Sequence, residues 1–199
     1  MDSRRTVLRR TPCPRRYPQV KEGGLDQLLD NLSAKLRENL NAETVYVVLF
    51  EPITNRYVGK KAKGNKERSL TEFNFSHSDN LIRWLTVNRC PLDVTKQSAV
   101  VRFFSTYEQE LLTRVGVALI VPLIVVNRLT GALFLTAKAD GTSYESHEEN
   151  VLSLLANHTA LAIEHALMYQ FQESRLKKMF HADQLATVGE LAAGAAHEI

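Results

Sequence analysis

The run Gly116-Val-Ala-Leu-Ile-Val-Pro122-Leu-Ile-Val-Val126 is followed, after Asn127-Arg128, by Leu129-Thr-Gly131-Ala-Leu-Phe-Leu-Thr136. Both runs are rich in β-branched, aromatic and long apolar side chains, and the pair between them is polar. That pattern predicts a strand hairpin, with strands over Val117 to Val125 and Gly131 to Lys138 and a tight turn near Asn127 and Arg128. Apolar residues occupy both alternating sets of positions, so the strands are expected inside a sheet that is covered on both faces.

Working outward, Thr44 to Phe50 shows the same two-sided pattern and predicts another interior strand. Pro52 and Asn55 mark a hairpin turn, and Tyr57 to Ala62 reads as the returning strand. Phe73 and Phe75 alternate as in a short strand. Ser78 is placed to cap a helix carrying Leu81, Ile82, Trp84 and Leu85, which Pro91 ends, and Leu92 to Val94 reads as a short extended piece. Ser105-Thr-Tyr-Glu108 fits a capping box that opens a helix with Leu111 and Leu112. Before all of these, Leu25, Leu28, Leu29, Leu32, Leu36 and Leu40 mark one face of an amphipathic helix.

From Ser143 onward the pattern is helical. Ser146 and Glu149 fit a second capping box, and Val151, Leu154, Leu155, Leu161, Ala162 and Met168 form a stripe expected to be buried. No proline follows Pro122, so the helix is expected to run some 50 residues, roughly 75 Å at 1.5 Å per residue. Its first part should pack on the domain and its second part should leave it.

Composition limits the functions open to the chain. A length of 199 residues with 44% hydrophobic content allows one good core with helix to spare. A formal charge of +3 gives no reason to expect nucleic-acid binding. Cys13 and Cys90 lie too far apart to suggest a disulfide framework or a zinc site, so a reducing, cytoplasmic setting is expected. No apolar stretch reads as the roughly 20 residues that span a bilayer. Arg4, Arg5, Arg9, Arg10, Arg15 and Arg16, interleaved with prolines, make residues 1–24 a basic arm expected to be disordered.

The last residues carry a different signal. Leu185, Val188, Ala192, Ala195 and Ile199 follow a 3-4-3-4 spacing, the seam of a two-helix contact, and His197 falls on the opposite face beside Glu198. The string Leu185-Ala-Thr-Val-Gly-Glu-Leu-Ala-Ala-Gly, then Ala196-His197-Glu198-Ile199, resembles the first dimerisation and phosphoacceptor helix of sensor histidine kinases, particularly those of the nitrogen-regulation type. The resemblance implies that His197 accepts the γ-phosphoryl group of ATP and that Glu198 assists. A neutral imidazole oriented by a carboxylate suits that role. The resemblance also implies a parent that is an ATP-dependent protein histidine kinase, a phosphoprotein serving a response regulator. ATP and Mg²⁺ would bind a catalytic domain beyond Ile199. This chain alone, with no G-x-G-x-x-G to hold phosphate, should then be inactive and carry no cofactor.

The element order, helix, strand pair, short helices, strand hairpin and long exit helix, resembles a GAF domain. The residues that carry the resemblance are Gly116 to Leu123, Leu129 to Leu135, Tyr144 with Glu148-Glu149, and Leu154-Leu155-Ala156 through Ala160, Ala162, Ile163 and Glu164. It implies an α/β (α+β) fold, an antiparallel sheet flanked by helices and followed by a long C-terminal coiled-coil helix. The expected organisation is a basic arm (1–24), a sensory domain (25–168), a helical connector (169–184) and the start of the phosphoacceptor helix (185–199), in a homodimer joined through the C-terminal helix.

GAF relatives hold cyclic nucleotides, bilins, haem, amino acids or nothing, so the resemblance leaves the ligand open. Cys90 is followed by Pro91, unlike a bilin-attachment cysteine. Ala137-Lys138, Tyr144 and Glu148-Glu149 keep the shape of the cyclic-nucleotide pattern without its asparagine. Phe73, Phe75, Trp84, Arg102, Phe103 and Phe104 fall where pockets are usually lined, though aromatics there are more often core. His158 and His165 share a helix face and are expected at a dimer interface or the surface rather than on a metal. Two other readings stay open: a GAF dimer that binds a ligand and regulates a non-kinase output, and a methionine sulfoxide reductase using Cys90.

Overall fold

Six strands form one antiparallel sheet in the order β3-β2-β1-β6-β5-β4. The computed structural model describes residues 24–64 and 67–197, and their side chains except those of 67–69, 182–183 and 185–197. Residues 1–23 of the basic arm, Glu198 and Ile199 lie outside the described residues.

The elements are α1 (Gly24–Leu40), β1 (Thr44–Glu51), β2 (Arg56–Gly64), a 3₁₀ turn (Glu67–Glu72), β3 (Asn74–Ser76), α2 (Asn80–Asn88), β4 (Leu92–Asp93), α3 (Ser98–Val101), α4 (Thr106–Val115), β5 (Val117–Val125), β6 (Arg128–Thr136) and α5 (Ser146–His197). The expected hairpin is β5–β6, paired from Val117 with Thr136 to Val125 with Arg128. Its two-residue turn is Val126-Asn127, one position earlier than the polar pair suggests, and both residues have positive φ (45° and 62°). Two left-handed residues match the twist of a hairpin, and exposed Val126 pays a steric cost there.

β1 and β6 are central and buried on both faces, as their two-sided apolar pattern requires. On one face, Tyr46, Val48, Phe73, Phe75 and Phe134 pack beneath Leu81, Ile82 and Leu85 of α2 and Leu111 and Leu112 of α4. On the other, Val45, Val47, Leu119, Val121, Leu133 and Leu135 pack beneath Leu29 and Leu36 of α1 and Leu152, Ala156, Ala160 and Ile163 of α5. The result is three layers, with α1 and the first part of α5 on one side and α2 to α4 on the other.

Four expectations are corrected. Ser78 does not cap α2. The N-cap is Asp79, which makes no side-chain cap bond, and Glu108 supplies the missing acceptor: its carboxylate takes the Leu81 N–H at 2.8 Å and the Ser105 N–H at 2.7 Å. The Ser105–Glu108 capping box is present, with both reciprocal bonds formed, and the same glutamate therefore closes two helix starts. The second capping box, expected at Ser146–Glu149, is not formed: only half of such a motif is present, one residue earlier, where Glu148 accepts from Glu145 N at 2.8 Å.

The third correction concerns the face α5 buries. Leu152, Ala156, Ala160 and Ile163 face the sheet at 1% exposure or less. Val151, Leu154, Leu155, Leu161 and Met168, expected inside, are 46% to 61% exposed. Both faces of this segment are apolar, so periodicity alone cannot rank them. The sheet takes the face with two alanines because small side chains let the helix axis come close. The fourth follows from the third. The stretch of α5 from Ser146 to His181 contains an 18-residue window with mean hydropathy 1.2, so by length and composition it is apolar enough to cross a membrane. The histidines, asparagines and glutamate interspersed in it hide this from a search for an uninterrupted apolar run, while the same helix supplies part of the domain core.

Candidate functional site: the root of the long helix

Two lysines hold the first turn of α5. Lys138, just after β6, places Nζ 2.8 Å from both carboxylate oxygens of Glu148 and 5.3 Å from the centre of the Tyr144 ring. Lys96, just after β4, donates to Tyr144 O at 2.5 Å and to Glu149 at 3.0 Å, and its Nζ lies 2.9 Å from Asp93 Oδ2. Asp93 is anchored in turn: its other oxygen accepts from Thr95 N, Thr95 Oγ1 and Lys96 N at 2.9, 2.5 and 2.9 Å. The buried Tyr144 hydroxyl donates to Thr136 O at 2.7 Å. Lys96 thus ties the segment leading into α3 and α4, on one side of the sheet, to α5 on the other.

Electrostatics follow from this geometry. Burial of Tyr144, with Glu148 and Asp140 nearby, pushes its phenol well above the usual range, so it stays a neutral donor. Burial works against ionisation of Glu148 and Asp93, but hydrogen bonds outweigh it, from Lys138 and Glu145 N on Glu148 and from Thr95 and Lys96 on Asp93. Both carboxyls end below their ordinary values. Such groups contribute stability that is present above the unfolded carboxylate pKa, about 4, and lost as pH falls through the folded value. Hydrogen bonds from Lys96 to Asp93 and Glu149 raise the Lys96 ammonium, so its contribution is present below about pH 10 and is lost only above that. Lys138→Met should cost on the order of 3 kcal/mol at neutral pH, because it strands a mostly buried carboxylate. Urea melts at pH 7 and pH 3.5 check it: wild type should lose more stability between the two than the variant.

Further along, α5 passes the far end of the sheet. Arg128, at the start of β6, pairs with Glu164 at 2.6 Å. Beside this pair is a groove of about 640 Å³ lined by Phe50, Ile53, Thr130, Leu167, Met168 and Phe171. Beyond Phe171 the helix continues without a break to His197.

On the opposite side of the sheet the aromatic residues fill space. Ring centres are 4.7 Å apart for Tyr46–Phe73, 4.9 Å for Phe73–Phe134 and 5.9 Å for the stacked Phe75–Phe134 pair. Of the residues expected to line a pocket, Phe73, Phe75 and Phe104 are core and Trp84 packs at its margin, while Arg102 and Phe103 are exposed. Lys138, Tyr144, Glu148 and Glu149, which keep the outline of a cyclic-nucleotide pattern, bond to the helix root itself. Cys90 is exposed just past α2, away from this interior. His197 is the last residue of α5, but its ring is not among the described side chains, and Glu198 lies outside the described residues.

The GAF domain family model matches residues 24–163. The chain belongs to the GAF family. Solved structures agree on the fold. A GAF domain/HD domain protein from Geobacter sulfurreducens has a TM-score of 0.60 at 19% identity, covering 75% of this chain and 99% of its own. The GAF-B domain of DevS from Mycobacterium smegmatis scores 0.54 at 16% identity, covering 74% and 98%. A domain named for a two-component sensor histidine kinase protein of Sinorhizobium meliloti 1021 scores 0.52 at 14% identity, covering 72% and 93%. Among curated proteins, none matches the chain. In this GAF domain the matched span ends at Ile163, where α5 stops facing the sheet. The sequence signalled the Ser105–Glu108 box and Lys138. It gave no sign of Lys96 or Arg128, whose partners are 53 and 36 residues away.

Proposed function

We propose that this GAF domain and its output helix are the sensory and phosphoacceptor portion of a cytoplasmic two-component histidine kinase. In this reading the domain receives a signal, from a small molecule or another stimulus, and α5 carries it to His197. The imidazole attacks the γ-phosphorus of ATP, an N–P bond forms as the β–γ bridging O–P bond breaks, and ADP leaves. Glu198 orients the ring and accepts its other proton, and the phosphoryl group passes on to a response regulator. Two copies pair through the C-terminal helix. Among the described residues no cluster of His, Cys, Asp or Glu could hold a metal ion. The reading assigns ATP and Mg²⁺ to a catalytic domain outside this chain, so the chain by itself is inactive.

The observation that carries the reading is continuity. A single helix, Ser146–His197, runs from the sheet-packed root to the residue at the end of the kinase-like string. An unbroken helix transmits a rotation or shift applied at its root, because its hydrogen bonds resist local unwinding. A domain named for a sensor histidine kinase among the structural neighbours is consistent with it.

The test uses the chain extended by the segment that follows it in its parent, with the cognate catalytic domain and γ-labelled ATP. Acid-labile label should appear on the chain and vanish in His197→Gln, and Glu198→Gln should slow labelling roughly 100-fold. Label that persists in His197→Gln overturns the assignment. The competing reading, a GAF dimer serving a non-kinase output, is favoured by a neighbour whose name joins GAF and HD domains; it predicts no label at all. A Cys90-based sulfoxide reductase has little support, because Cys90 is exposed and has no second cysteine beside it among the described residues.

A further inference from the structure

The outward face of α5 is too apolar for a free surface. Residues 150–172 contain one charged side chain, Glu164, and Arg128 already holds it. Val151, Leu154, His158, Leu161, His165 and Met168 follow a 3-4-3-4-3 spacing and are all exposed. At about 100° per residue this stripe lies directly opposite Leu152, Ala156, Ala160 and Ile163, which face the sheet. The neighbouring helix α1 presents Gln27, Asn31, Lys35 and Glu38 outward, so the apolar stripe belongs to α5 alone.

We infer that this stripe seats the same stripe of a second copy in parallel register, and that His158 and His165, each facing its own counterpart across the twofold axis, make the contact acid-sensitive. The inference rests on the paired-helix part of the function proposed above. Three observations select a second copy as the occupant. A 3-4 repeat is the spacing at which two helices interlock side chains. The stripe carries no lysine, arginine or carboxylate, so two copies meet without like-charge repulsion. The opposite face of the helix is fixed to the sheet, which keeps this segment from crossing a bilayer.

Val151, His158 and His165 fall at the positions where a parallel pair places identical residues side by side. Two neutral imidazoles can share a hydrogen bond there, N–H to N. Two charged ones repel, so protonation of the layer opposes the contact. β5, β6 and α1 pack against other faces of α5. On α5 the positions three and four residues from His158 are Leu154, Leu155, Leu161 and Ala162, none of them charged. His165 adjoins Glu164, whose carboxylate is engaged by Arg128, and at the start of the helix His147 pairs with Glu145. His158 is therefore the layer with no counter-charge.

Sedimentation equilibrium of the full chain at pH 8.0 and pH 5.5 tests this. Wild type should be dimeric at pH 8.0, with a dissociation constant at least tenfold higher at pH 5.5. Leu154→Glu with Leu161→Glu should give a monomer with an unchanged circular dichroism spectrum, since both positions face solvent in one copy. His158→Leu should tighten the dimer and remove most of its pH response. A wild-type monomer at pH 8.0 overturns the inference together with the pairing of helices. A dimer that the double glutamate variant leaves intact overturns this seam but not the pairing. A dimer with no pH dependence overturns the histidine layer alone. A monomer that binds phosphatidylcholine–phosphatidylglycerol vesicles through Leu154 and Leu161 replaces the second copy with a lipid surface. The phosphotransfer reading stands or falls separately, on the label at His197.

Discussion

Glu108→Ala should lower the melting temperature of this GAF domain by about 10 °C, the larger of the two strongest effects expected from single substitutions. Glu108 is 1% exposed, and its two oxygens accept from Leu81 N and Ser105 N at the starts of α2 and α4. Truncation leaves both N–H groups without an acceptor. A buried donor that loses its partner costs about 1–3 kcal/mol, and the Ser105 bond is also the reciprocal half of its capping box. The two donors together cost about 2–6 kcal/mol, with about 4 kcal/mol at the middle of that range. Glu108→Gln separates the bonding from the packing. The amide has the same shape but one acceptor oxygen, and its NH₂ group faces an N–H donor, so roughly half the loss should remain. Thermal melts of the three proteins check this, and an alanine variant within 2 °C of wild type contradicts the double cap.

Gly131→Ala should be nearly as damaging, for a steric reason. Gly131 lies opposite Leu49 on one side and Leu123 on the other, at the centre of the sheet. A Cβ there would lie 2.3 Å from Val48 O and 2.8 Å from the Leu49 side chain. The carbonyl belongs to a strand held on both sides, so it cannot move without loosening the β1–β6 ladder. Overpacking a rigid core costs about 1–3 kcal/mol and sometimes more. The backbone contact places this site at the upper end, about 3 kcal/mol. Urea denaturation should show a lower midpoint with an unchanged slope, since the fold survives with a strained sheet. An unchanged midpoint would mean that β1 and β6 are less tightly coupled than their register indicates.

Much of the architecture was legible from local pattern. Two-sided apolar runs identified β1, β5 and β6 as interior strands. Pro52 and Asn55 marked the first hairpin turn, and the Ser105–Glu108 box was visible because its partners are three residues apart. The 3.6-residue periodicity showed α1, and the absence of proline after Pro122 allowed α5 its length. Ser78 was mistaken for a cap because the acceptor that serves α2 comes from α4, 27 residues downstream of Leu81. The four-residue α3 was invisible because so short a helix has no periodicity to read.

The candidate site divides in the same way. Lys138, Tyr144 and Glu148 stood out as a spaced set, but only the folded chain shows that they clamp the helix root rather than a ligand. Lys96 and Arg128 were ordinary surface lysine and arginine until folding brought Glu149 and Glu164 beside them. His197 and Glu198 were singled out from the sequence string and lie beyond the described side chains.

By itself the sequence determined the kinds of element and their order, because those depend on side-chain size, branching and spacing within a few residues. Tertiary structure alone decided which of the two apolar faces of α5 enters the core. Hydrophobicity could not choose between Leu152-Ala156-Ala160-Ile163 and Val151-Leu154-Leu161-Met168. The choice fell to shape, since alanines admit the helix against the sheet and the bulkier stripe is left outside.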